Sequence, residues 1–218
     1  MKTMTPRLQQ TLEILRQALD GQPPRRLDAP RSRPAAVLLP LWDPDPHSPQ
    51  GVQVVFTKRT NHLPHHPGQV SFPGGAADPQ DPDPETTALR ETCEEIGVCA
   101  DDARLVARLD QVVTVTDFLI TPFVGVLAPH IRFQPNPVEV ERIITVPLAK
   151  LLDPDQWRPH EVYWQGIAFQ QQALAHEGEL IWGATARILL NLRRRLGDYT
   201  PQVAAAAQKR VDTNPRLG

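Results

Sequence analysis

The sequence predicts an α/β domain, a mixed β-sheet with helices on its faces. Three observations carry this. Short β-branched runs such as Val52 to Thr57 (VQVVFT) stand among segments of helical periodicity. The two kinds do not alternate regularly, as they would in a parallel doubly wound sheet. No internal repeat points to a solenoid or propeller.

Element by element, Leu8, Leu12, Leu15 and Leu19 recur at helical spacing until Gly21 and Pro23 end the pattern. This helix is expected to pack on the domain or on a second subunit, which would make a homodimer. A loop rich in Pro and Arg follows, so residues 1–34 read as a helix and loop ahead of the main domain. Ala35 to Leu41 (AAVLLPL) and Val52 to Thr57 read as two strands joined by the turn DPDPHSPQG. Thr86 to Ile96 is helical by pattern, with Leu89, Cys93 and Ile96 as its apolar stripe. Leu105 to Val115 and Leu119 to Leu127 read as strands, the second broken by Pro122. Ile143 to Val146 is a short strand, Pro147 to Leu152 a brief helix, and Val162 to Phe169 one further strand. A long helix over Leu180 to Arg195 closes the main domain, 35–196, with Ile181, Trp182, Ile188, Leu189 and Leu192 on its buried side. Residues 197–218 are expected to be a loose tail.

The formal net charge is −2, which argues against nucleic acid as the main partner. The longest apolar run, 35–42, is too short to span a bilayer and is interrupted by Pro40. Cys93 and Cys99 lack the spacing of a zinc site or a disulfide framework, so a reducing compartment and a cytoplasmic protein are expected. Proline makes up 24 of 218 residues, about twice its usual share, and falls mostly between periodic segments. It reads as stiff loops rather than disorder.

The stretch that carries chemistry is LRETCEEIGV, Leu89 to Val98. On a helix, Glu91, Glu94 and Glu95 share a side, and like charges at that spacing repel. A solvated face is the ordinary explanation. A divalent cation such as Mg²⁺, which prefers carboxylate oxygens, compensates the cluster better. Upstream, Gly74 and Gly75 allow close approach of the backbone to a ligand, and Arg90 can orient a carboxylate through its planar fork.

Taken together, SFPGGAADPQDPDPETTALRETCEEIGV resembles the Nudix box, through Arg90, Glu91, Glu94, Glu95, Gly97 and Val98. Pro82 stands where a Glu is usual, the glycine pair lies one residue further from Arg90, and Thr92 replaces an aliphatic residue. The longer spacing and Asp81 are similar to the coenzyme A diphosphatase branch of the family. So are Thr57, Arg59, His62, Leu63, Gly68, Gln69, Val70, Phe72, Pro73, Gly74 and Gly75 within FTKRTNHLPHHPGQVSFPGG. Pro64 and Thr60 depart from that branch. TPFVGVL, EVERIITVPLAKLLDP and IWGATARILL extend the resemblance from about Ala35 to about Leu190.

The resemblance implies a Nudix-type α/β/α sandwich and hydrolysis of the diphosphate of coenzyme A or its derivatives, with Mg²⁺ or Mn²⁺. The products would be 3′,5′-ADP and 4′-phosphopantetheine or its acyl form. Glu91 and Glu95 are the expected metal ligands, with Glu94 and a carbonyl near Gly75 beside them and Arg90 orienting Glu91. The general base is Glu91 or an acid on a later loop: Glu139 or Glu141, then Glu161. Among Lys58, Arg59, His62, His65 and His66, a basic group suited to phosphates, Arg59 is favoured. Phe118, Phe123, Trp164 and Trp182 are expected in the core before the substrate site. The alternatives are a Nudix hydrolase of a nucleoside triphosphate or dinucleotide, and a non-catalytic nucleotide sensor.

Overall fold

The computed structural model describes residues 4–63, 66–164 and 166–210. Pro64 and His65, together with the Trp164 side chain, lie outside the described residues. In chain order the elements are α1 (Pro6–Leu19), β1 (Arg33–Trp42), β2 (Gln53–Arg59), β3 (Val70–Ser71), β4 (Gly74–Ala76), α2 (Pro84–Ile96), β5 (Ala103–Arg108) and β6 (Val112–Val113). They continue with β7 (Phe118–Leu127), β8 (Val140–Pro147), α3 (Leu148–Leu152), β9 (Trp157–Trp164), β10 (Ile167–His176), β11 (Glu179–Ile181), α4 (Gly183–Leu196) and α5 (Thr200–Gln208).

β1 and β7 run side by side in parallel at the centre of an eight-stranded sheet, whose other pairings are antiparallel. The sheet is mixed, as the irregular order of elements predicts. Alternation along the strands divides the core. Ala36, Leu38, Val55, Phe123 and Leu127 face α2 with Ala88, Ile96 and Val98. Leu39, Leu41, Val54, Phe56, Val124 and Val126 face the opposite way, against α1, α3, α4 and α5. Helices thus cover both faces.

Pro122 does not break β7. Its carbonyl accepts from Leu109 N (2.9 Å), so its missing N–H points into the gap between β5 and β6 and leaves the β1 ladder intact. Val162 to Phe169 is not one strand but two: β9 and β10 reverse at Gly166, pairing Trp164 with Ile167, and β11 extends the hairpin into a small sheet. The closing helix starts later than expected, because Ile181 belongs to β11 and Trp182 is the N-cap of α4.

α1 buries Leu8, Leu12 and Leu15 within its own chain, against α4 and α5. Its apolar face is therefore occupied, which removes the ground on which a homodimer was expected. Arg7, in the first turn, is fully buried and forks onto Asp43, with the Asp45 and Ser48 carbonyls accepting from Nη2 and Nη1. The tail is not loose through Gln208, since α5 docks Val203, Ala206 and Ala207 against α1 and α3.

Cys93 and Cys99 are joined as a disulfide, with Cα atoms 4.4 Å apart, contrary to the expectation of reduced thiols. The reason is local. Gly97 ends α2 in the left-handed conformation (φ 71°), its N–H bonds the Cys93 carbonyl, and the chain doubles back over the last turn.

Candidate active site

The acidic helix begins with Asp83 as N-cap, its carboxylate accepting from Thr86 N (2.7 Å), and Pro84 follows at the first helical position. This fixes where the helix starts, and so where the carboxylates fall. Thr92, where an aliphatic residue is usual, is fully buried and donates its hydroxyl to the Ala88 carbonyl (2.6 Å).

Arg90 organises the cluster. Its Nε and Nη2 donate to Asp81 (3.1 and 2.9 Å), Nη1 donates to Glu91 (2.9 Å) and Glu94 (3.1 Å), and Nη2 also reaches the Ala76 carbonyl (3.1 Å). That fork holds the Asp81 carboxyl well below the usual range. Asp81 is therefore the partner that aims Arg90 at the helix.

Glu91 and Glu95 line the inner side. The Glu95 side chain is only 4% exposed, with Gly74 N donating to it at 3.3 Å and Arg59 Nη1 3.8 Å away. Burial pushes its pKa up to about 8, against the pull of Arg59 and the Gly74 N–H; the charges of Glu91 and Glu139 push the same way as burial. Glu91 is raised too, chiefly by burial and against Arg90. Gly75 packs on this pair: a Cβ there would come within 2.5 Å of the Glu91 carboxylate. Gly74 adopts φ 146°, and a side chain on it would strike the backbone of Ala36 and Val37. Both glycines are needed for β4 to lie between β1 and the acidic helix.

The charge balance invites a cation. Three glutamates meet one fully committed arginine and a second, Arg59, whose Nε is buried without a hydrogen-bond partner. Among the described residues no three His, Cys, Asp or Glu side chains already surround one point. The oxygen donors nevertheless suit a hard divalent ion.

The later acids separate. Glu139 is set by bonds of its backbone to Asn136 and Thr60, and its charge acts on both Glu91 and Glu95. Glu141 pairs with Lys58 (3.2 Å), and Glu161 accepts from the Tyr163 hydroxyl on the β9–β10 hairpin. The basic group also divides. The register of β2 against β8 shifts between Lys58 and Arg59; Arg59 turns to Glu95, while Lys58 binds Glu179 (2.9 Å) and Glu141. His62 lies against the Val138 carbonyl (3.1 Å). Glu179 comes from 121 residues further along the chain, and nothing in the sequence pattern signals the pairing.

A cleft of about 750 Å³ opens beside the glycine pair. Arg59, Gln69, Phe72, Gly74 and Gly75 line one end; Arg33, Phe118, Tyr163, Trp182 and Arg187 line the rest. Phe118 and Trp182 are thus cleft walls, whereas Phe123 lies in the core.

The NUDIX domain profile matches residues 31–165. The chain belongs to the Nudix family. A protein described as "Uncharacterized Nudix hydrolase NudL" from Photorhabdus laumondii is 35% identical over 175 residues, spanning 80% of this chain and 90% of its own. A protein of the same description from Salmonella paratyphi B is 35% identical over 166 residues, 76% of this chain and 83% of its own. Among solved structures, a Nudix hydrolase from M. smegmatis, RenU, overlays with a TM-score of 0.45 at 21% identity, over 55% of this chain and 73% of its own. This Nudix hydrolase is accordingly a pyrophosphohydrolase acting on a nucleotide-linked substrate, and enzymes of the family use divalent cations such as Mg²⁺ or Mn²⁺. Among the described residues no helix is long and apolar enough to cross a membrane.

Proposed function

We propose that this Nudix hydrolase cleaves the diphosphate of coenzyme A or its derivatives to 3′,5′-ADP and 4′-phosphopantetheine or its acyl form. One observation carries the proposal. Arg59, Gln69, Phe72, Gly74 and Gly75, which resemble the coenzyme A branch, line a single cleft whose end abuts Glu91 and Glu95. The apolar part of that cleft formed by Tyr163, Phe169 and Trp182 suits a long pantetheine arm.

Glu91 and Glu95 would hold Mg²⁺ or Mn²⁺, with Glu94 and the Gly75 carbonyl completing the oxygen set. The bound cation would neutralise the diphosphate and lower the pKa of water. Arg90, fixed by Asp81, orients Glu91 and Glu94 and does not itself contact substrate. Arg59 binds the diphosphate, and the Gly74–Gly75 backbone lets it approach the helix. Glu139 takes the proton from the attacking water; phosphorus gains that oxygen and loses the bridging oxygen to the other phosphate. Lys58 and His62, expected at the substrate, support the wall through Glu179, Glu141 and Val138 instead.

The test is hydrolysis of coenzyme A with Mg²⁺ or Mn²⁺, followed by separation of products, with a nucleoside triphosphate and a dinucleotide alongside. Preferential release of 3′,5′-ADP is expected. Cleavage of another diphosphate with coenzyme A untouched would overturn the substrate.

A further inference from the structure

Arg59 is not the only arginine lining the cleft, since Arg33 and Arg187 line it too. Arg33 begins β1, and its guanidinium lies 4.1 Å from the centre of the Phe118 ring, which fixes the otherwise flexible side chain. Arg187, on the first turns of α4, also lines the cleft and donates to the Val113 carbonyl. Among the described residues neither arginine has a carboxylate partner, whereas Lys58, Arg90 and Arg142 are all paired. Two unneutralised guanidinium groups on one cleft constitute an anion site.

Register gives its separation from the reacting centre. β1 pairs Ala36 with Gly75, and Arg33 stands three residues earlier. At about 3.3 Å per residue its backbone lies roughly 10 Å along the strand from the glycine that abuts Glu91. Such an offset along the strand leaves room for a second phosphate of the same ligand beside the diphosphate.

We propose that Arg33 and Arg187 form a subsite for a phosphomonoester separate from the diphosphate, recognising the 3′-phosphate of a coenzyme A-type nucleotide. This rests on the coenzyme A reading above and adds the residues that would enforce it. Guanidinium suits the dianion, since it can donate two parallel hydrogen bonds where an ammonium offers a point charge.

The experiment compares coenzyme A with 3′-dephospho-coenzyme A, which keeps the diphosphate and lacks the monoester. The native protein is expected to favour coenzyme A by tenfold or more in kcat/KM. Arg33→Gln and Arg187→Gln should each lower kcat/KM for coenzyme A about tenfold, mainly through KM, and lower that for the dephospho compound less. A second measurement needs no variant: 3′,5′-ADP should inhibit the native protein at least tenfold more strongly than 5′-AMP. Equal turnover of both substrates, with equal inhibition by both nucleotides, would overturn the subsite and leave the coenzyme A reading standing. Variants that lower both substrates alike would also overturn it. No turnover of either compound, while another diphosphate is cleaved, would overturn both proposals together.

Discussion

At the scale of single residues, the site depends on how closely Gly75 meets Glu91. Nothing but hydrogen fits between them, because a Cβ would lie 2.5 Å from the carboxylate. The group in the way is the end of a flexible side chain, so the fold can yield while the geometry cannot. Gly75→Ala should lower turnover at fixed Mg²⁺ at least tenfold and raise the Mg²⁺ concentration needed, with a melting temperature within a few degrees of native. Kinetics over a Mg²⁺ series, with a thermal melt, check this. Helical spacing alone put the acidic triplet on one side, since a helix brings i, i+3 and i+4 together, but only the resemblance to the Nudix box made the triplet and Arg90 legible as a site. Asp81 was legible as a position but not as the fork that aims Arg90, because that requires the loop before α2 to fold back.

At the scale of elements, α1 is held by more than its leucines. The Arg7–Asp43 pair crosses 36 residues and is wholly buried, so removing one member leaves the other charged and unpaired. Asp43→Ala should cost about 3–5 kcal/mol in urea-induced unfolding. Sequence reading did not single out Arg7, since periodicity cannot say which arginine finds a buried carboxylate. It also fused β9 and β10, because apolar content continues through the turn and only Gly166 marks the reversal. α5 escaped notice for a related reason. Its buried residues are mostly alanines, which carry little hydrophobic signal until α1 and α3 close over them.

At the scale of the whole molecule, the buried acids link stability to pH. Glu95, raised from its ordinary 4.5 to about 8, holds a proton in the folded protein that the unfolded chain releases. Metal-free protein should therefore lose stability as pH rises from about 5 to 8, by up to about 1.4 kcal/mol per pH unit. Glu91 is shifted in the same direction and adds to the slope. Glu95→Gln should flatten it, and Mg²⁺ should restore stability most at the alkaline end. Denaturation across that pH range, with and without Mg²⁺, measures both. An unchanged slope in Glu95→Gln would place the linkage elsewhere.

The sequence by itself determined the class of fold, the acidic helix with its arginine, and the glycine pair that lets a strand approach it. These are local: hydrophobic period, capping residues and helical spacing act within a dozen residues. Tertiary structure alone decided which basic residues remain available. Lys58 is neutralised by Glu179 and Glu141, Arg59 faces Glu95, and Arg33 and Arg187 line one cleft although 154 positions apart in the chain. Charge partners depend on distance in space, and distances between remote segments exist only once the sheet, the hairpin and α4 have packed together.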